Sequence, residues 1–153
     1  MIDRIVDSNS LPALERALQF ASGRHRLIAN NLANIETPGY RPLDVPVGEF
    51  QAQLADALAT RRAALAEGLG PEATRGADGG LALFAPGPAS VGPSGLVLEP
   101  TPIADSLLYH DGNDRSLERI LQSLTENVLM FRFAATMARR HFSSIDAAIR
   151  ERL

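Results

Sequence analysis

Two uninterrupted heptad patterns, one at each end of the 153-residue chain, constrain the fold more than any other feature. From Leu11 to Ile35, bulky or apolar residues fall at Leu11, Leu14, Leu18, Ala21, His25, Ile28, Leu32 and Ile35, with spacings that alternate between 3 and 4. From Asp114 to Glu151 the same alternation runs through Leu117, Leu121, Leu124, Val128, Phe131, Ala135, Ala138, Phe142, Ile145 and Ile149. A repeat held at 3.5 residues favours long helices crossing at a shallow angle. Ser10 and Pro12 are residues suited to the start of the first helix. Glu15, Arg16, Arg24 and Arg26 fall on its opposite face, which the pattern predicts to be solvated. A shorter helix is expected from Gly48 to Glu67, with Phe50, Leu54, Leu58 and Leu65 along one face.

Between these helices the composition changes. Residues 68–102 hold eight of the 12 Gly and six of the 10 Pro, with short apolar pieces at Leu81–Phe84 and Leu96–Leu98. Such a segment is loop, short β structure or disorder. The uncharged run Gly79–Leu98 contains eight Gly or Pro and is no membrane helix. The predicted fold is therefore mainly α. Long N- and C-terminal heptad helices pair as a coiled-coil-like hairpin, joined by a shorter middle helix and an irregular Gly/Pro-rich segment with short β pieces. The predicted organisation is a discontinuous helical domain, 10–67 with 105–153, and a loop or weakly structured insertion at 68–104. Burying one two-helix seam falls short of the entropy of ordering so long a hairpin. The chain is thus expected to draw on surfaces of neighbouring copies or partners.

Composition excludes several functions. There is no Cys, so disulfides, Cys-ligated metal and thiol nucleophiles are absent. The net charge of −3 argues against a basic nucleic-acid-binding domain. The N-terminus has neither the basic nor the apolar region of a cleaved secretory signal. No phosphate loop, dinucleotide fingerprint or nucleophile elbow occurs. His25 and His141 lack a second ligand at helical spacing. His110-Asp111-Gly112-Asn113-Asp114 is a dense polar cluster without the spacing of a calcium loop, and reads as a turn before a helix. A hydrolase using His110 and Asp111 would lack its remaining ligands. No catalytic residue, metal site or cofactor is predicted, and a structural or binding role is favoured over an enzyme.

One segment is unusual. In Ala29-Asn30-Asn31-Leu32-Ala33-Asn34-Ile35-Glu36-Thr37-Pro38-Gly39-Tyr40, three Asn occupy five residues at a helix end. Asn competes for backbone groups and is a mediocre helix former. Asn30 and Asn34 share a face and are placed to hydrogen-bond across an interface. Thr37-Pro38-Gly39 forces a turn, since Pro38 restricts Thr37 and Gly39 can take φ > 0. Tyr40 is expected to return against the helix with its ring inward and its hydroxyl outward.

This segment resembles the N-terminal signature of the bacterial flagellar axial proteins, the rod and hook subunits, across Ala29–Tyr40. Asn30, Asn31, Asn34, Thr37, Pro38, Gly39 and Tyr40 are its signature positions here. The short length, the Asp111-Gly112-Asn113 turn, and the endings Thr125-Glu126-Asn127, Phe131, His141-Phe142-Ser143-Ser144-Ile145 and Ala148-Ile149 resemble proximal rod subunits. Asp114-Arg115-Ser116-Leu117-Glu118-Arg119 departs from that pattern. The resemblance covers about 10–60 and 105–153. It implies a rod subunit of the flagellar basal body, exported through the flagellar type III apparatus without a cleaved signal. Such a subunit would polymerise in the periplasm through its terminal helices. Implied partners are further copies, other rod subunits, the rod-base adaptor and the export gate, with no nucleic acid and no stable membrane insertion. A sibling axial protein is the alternative. Phe50-Gln51-Ala52-Gln53-Leu54 fits the family's export gate motif, and equally fits a core pair at i and i+4. Seam contacts are expected at Leu14, Leu18, Ile28, Leu32, Leu121, Leu124, Val128, Phe131, Phe142 and Ile145.

Overall fold

The computed structural model describes residues 10–83, 85, 87–103 and 117–150. Helix α1 runs Ser10–Ala33, α2 runs Val47–Ala66 and α3 runs Leu117–Arg150. Between α1 and α2 lies the short strand β1, Leu43–Asp44. After α2 come a 3-10 turn, Pro71–Thr74, and strands β2 (Ala89–Gly92), β3 (Gly95–Leu98) and β4 (Thr101–Pro102). Phe84, His110, and the Asp111–Asp114 turn lie outside the described residues.

Helix α2 begins directly after Pro46, which suits a helix start because the missing N–H has no intrahelical partner to lose. It ends where Gly68 takes φ 79°, with Leu69 N–H donating to Ala64 O and Gly68 N–H to Leu65 O. That pair of bonds caps the last carbonyls of the helix.

Helices α1 and α3 pack against each other as an antiparallel hairpin. Arg24, Ile28 and Asn31 of α1 share a groove with Arg119, Ile120 and Ser123, while Ala13, Leu14 and Ala17 lie opposite Phe133, Met137 and Ser144. The buried line on α3 is Ile120, Asn127 and Ala134, spaced by seven. Asn127 Nδ2–H donates to Ala21 O across the interface at 2.9 Å. This corrects the expected seam. Ile28 is buried, and Leu14, Leu18, Leu124, Val128 and Ile145 are half-buried. Leu32, Leu121, Phe131 and Phe142 are exposed, Phe131 at 42% and Phe142 at 58%. Periodicity ranks positions by hydrophobic bulk. The helices instead meet along a small residue and a hydrogen-bonded amide, which leaves the bulkiest heptad line beside the contact.

The second face of α1 carries the other half of the fold. Arg16, Phe20, Arg24 and Asn31 are buried on it, with Leu27 half-buried between them. Phe20 stacks on Phe50 of α2 with ring centroids 3.9 Å apart, and Val45 and Ala89 complete the cluster. Leu54, Leu83, Leu96 and Leu98 pack around it. The Gly/Pro-rich segment thus contributes directly to the core. Strands β2 and β3 form an antiparallel hairpin pairing Ala89 with Leu98 and Gly92 with Gly95, and β1 pairs with β4. Gly23 is what lets the hairpin approach α1, since a Cβ there would sit 2.6 Å from Leu98 Cδ1.

Arg16 and Arg24, predicted to be solvated, are both buried. Arg16 is 0% exposed and forks onto Asp78, Nη1 to Oδ2 at 2.6 Å and Nη2 to Oδ1 at 2.7 Å, while its Nε–H donates to Leu81 O. Arg24 forks onto Asp44 at 2.8 and 2.6 Å. A buried guanidinium is tolerated only when its donors are met, and the bidentate carboxylate meets two at once. The Gly76–Gly80 loop exists around Arg16: a Cβ at Gly80 would sit 2.8 Å from Nη2.

Candidate functional site

The signature segment closes the C-terminal end of α1. Thr37-Pro38-Gly39-Tyr40 is a type II turn: Pro38 supplies the fixed φ, Gly39 takes φ 74°, and Tyr40 N–H donates to Thr37 O at 3.2 Å. The turn sends the chain back along α1 so that β1 lies beside it.

Asn31 locks this return. It is 4% exposed, its Nδ2–H donates to Leu43 O at 2.7 Å, and its Oδ1 accepts from Leu43 N–H at 3.1 Å. The amide therefore pairs with the Leu43 backbone as a strand residue would. Oδ1 also accepts the Tyr40 hydroxyl at 2.9 Å, and that hydroxyl accepts from Asn30 Nδ2–H at 3.1 Å. The Tyr40 hydroxyl thus points back onto α1, which corrects the outward orientation expected for it. Two helical turns N-terminal to Asn31, Arg24 holds Asp44, whose Oδ1 also accepts Val45 N–H at 2.8 Å.

Asn34 plays a local part. Its Nδ2–H donates to Asn30 O at 2.9 Å and Asn30 Oδ1 at 3.1 Å, and its backbone O accepts Thr37 N–H at 2.9 Å. Asn30 and Asn34 do share a face, as the spacing indicates, but within this chain they bond each other and the turn that follows, through Tyr40 and Thr37. Thr37, Pro38 and Gly39 are exposed, so the turn presents a polar, conformationally fixed surface beside the hairpin.

Of the suspected export pair, Phe50 is fully buried in the Phe20 stack and Leu54 is half-buried against the same cluster. Sequence reasoning misses Arg16, Arg24, Asp44, Asp78 and Asn127. The spacing of Arg16, Phe20, Arg24, Leu27 and Asn31 is a helical face available to be read, but its charges argue against burial. Asp78 is held below the usual carboxylate range chiefly by the hydrogen bonds from Arg16, against the opposing effect of burial, with a further bond from Gly80 N–H. Among the described residues, no group of three His, Asp or Glu is placed to hold a metal ion, and no helix is long and apolar enough to cross a membrane. The site is a scaffold of fixed polar contacts and exposed apolar helix surface.

No protein-family model matches the chain. A curated protein, the flagellar basal body rod protein FlgB of Borrelia hermsii, is 28% identical over 143 residues, covering 92% of this chain and 96% of that protein. The similarity therefore runs through the terminal helices and the Gly/Pro-rich middle alike.

Proposed function

We propose that this chain is a structural subunit of the bacterial flagellar rod, of the proximal type, and that it assembles through its terminal helices. The observation that carries the reading is the pairing of α1 with α3 when α3 keeps a line of large apolar side chains open. Leu117, Leu121, Phe131, Phe142 and Ile149 are exposed along a helix of 34 residues. Exposed apolar surface of this extent marks an interaction face. The end-to-end similarity to FlgB and the Ala29–Tyr40 signature support the same reading.

In this reading 10–67 with 105–153 forms the rod-building helical unit and 68–104 is an insertion clasped to α1 by Arg16 and Asp78. The signature residues Asn30, Asn31, Asn34, Thr37, Pro38, Gly39 and Tyr40 fix the helix end that neighbouring subunits meet. The partners are other rod subunits, the rod-base adaptor and further copies, with export through the flagellar type III apparatus to the periplasmic rod. Phe50 and Leu54 serve packing in the folded chain. As an export signal they would be read before folding, because Phe50 is 0% exposed afterwards.

The test is a deletion strain scored for motility and for intact basal bodies, with the labelled chain located in purified basal bodies of the complemented strain. Loss of the rod, restored by the complementing chain, is expected. A motile deletion strain with complete basal bodies defeats the reading.

A further inference from the structure

Helix α2 carries a feature that neither the core nor the signature turn uses. Ala52, Ala55, Ala59, Ala63 and Ala66 are all exposed, spaced 3, 4, 4 and 3, and line one side of the helix. Glu49 and Asp56 are exposed on one flank of that stripe, seven residues apart. The open line on α3 is the reverse in both respects. Its residues are large, and Arg132 and Arg139 are exposed on its flank, also seven residues apart. From Val128 to Ile145, α3 has three Arg and no acidic residue.

We infer that α2 of one copy of this chain docks in the groove that α3 forms with α1 on a second copy. Size and charge both match. Bulky side chains of one helix fit where the other has only alanine, as ridges fit grooves. Two acids and two arginines, each pair separated by two helical turns or about 10.5 Å, fall into register. The alternative of α3 on α3 sets Arg132 and Arg139 against their own copies, which like-charge repulsion disfavours. The Ala stripe spans about 21 Å and the α3 line from Leu121 to Phe142 about 32 Å, so the shorter helix seats fully on the longer.

Beside the open line lies a groove to which both α1 and α3 contribute. Asn127 is 2% exposed, and its Oδ1 has no hydrogen-bond partner among the described residues. It lines a groove of ≈ 330 Å³ with Ala21, Ser22, Val128 and Phe131. Because the two surfaces differ, the contact is heterologous, and repetition yields a ring or filament rather than a closed two-fold dimer. The inference rests on the rod reading only in supposing that copies meet in the assembly.

The chain has no native Cys, so single thiols report cleanly. Ser22→Cys lies on the groove and Ala59→Cys on the Ala stripe, both at exposed positions that tolerate a small side chain. Mixed full-length variants treated with a short bis-maleimide are expected to give a dimer linked through the two introduced thiols, one from each variant, and neither variant alone should do so. Glu49→Arg with Asp56→Arg should lower the mixed yield about tenfold, and a partner carrying Arg132→Asp and Arg139→Asp should restore it. Self-linking of Ser22→Cys at the mixed yield, or no mixed product at any concentration, overturns the inference. A chain found in basal bodies that fails this test refutes the docking alone. A chain that cross-links in this pattern but is absent from basal bodies refutes the rod reading alone.

Discussion

Replacing Asn31 by Ala isolates the lock at the end of α1. The substitution removes the acceptor and donor that satisfy both Leu43 backbone groups and the acceptor of the Tyr40 hydroxyl. A net hydrogen bond is worth about 0.5–1.5 kcal/mol, and a buried group left unpaired costs about 1–3 kcal/mol. Leu43 is half-buried, so water recovers part of the loss. The expected destabilisation is therefore about 2–4 kcal/mol, because two or three hydrogen bonds disappear together. Asn34→Leu gives the contrast. Its hydrogen bonds are exposed and lie within the helix end, and Leu is the better helix former, so the change should stay within about 0.5 kcal/mol. The assay is urea unfolding of the purified chain followed by far-ultraviolet circular dichroism, with Tyr40→Phe completing a double-mutant cycle. Coupling of about 0.5–1.5 kcal/mol between Asn31 and Tyr40 is expected. If Asn31→Ala matches the wild type while Asn34→Leu unfolds the chain, the assignment of the lock is wrong.

Gly39→Val should destabilise by about 1–2 kcal/mol through the backbone alone, because φ is 74° and nothing lies within 4 Å of the added Cβ; Gly39→Asn, measured in the same unfolding series, should cost less. The folded Asp78 carboxyl titrates below its ordinary value of 3.8, so its stabilisation is fully present above that value and is lost as the pH falls through the lower, folded value. Asp78→Asn should therefore be less stable at neutral pH and show a shallower loss of stability below about pH 4 in acid titrations. Phe50→Ala should cost about 3–5 kcal/mol by emptying the stack on Phe20, and secretion assays that find its export unchanged would leave the residue a packing role only. Phe142→Ala, at an exposed site, should leave monomer unfolding within about 0.5 kcal/mol of wild type yet reduce rod assembly in the basal-body preparation.

The helices are legible in the sequence because their signals are local. The 3.5 repeat places α1 and α3, and Pro38 and Gly39 place the turn, since each acts on its own dihedrals. What escapes is set by distant residues. Arg16 is buried only because Asp78, in a Gly-rich loop 62 residues away, closes over it. No window around Arg16 contains that carboxylate, and charge alone puts such a residue in solvent. Asn127 escapes for a related reason: it occupies a place in the packed line that a hydrophobic ranking assigns to Phe131. The Asn cluster stands out, but spacing shows only that Asn30 and Asn34 share a face. That Asn31 carries the lock depends on where β1 returns.

These misses have a common physical consequence for the hairpin. Helix α1 is buried on two sides, by α3 along Ala21 and Ile28 and by the middle segment along Arg16, Phe20 and Arg24. The arginines and Asn31 on the second side are matched by fixed partners, so that side is specific and closed. Helix α3 differs. Its buried residues lie along one line, and its largest side chains fall outside it. A helix with apolar residues on more than one side is stable only when surrounded. Helix α1 finds its surroundings within the chain, whereas α3 leaves part of its apolar surface open among the described residues. In the proposed rod reading, polar clasps on α1 and open bulk on α3 divide two tasks: one helix fixes the shape of the copy, and the other offers surface to the next.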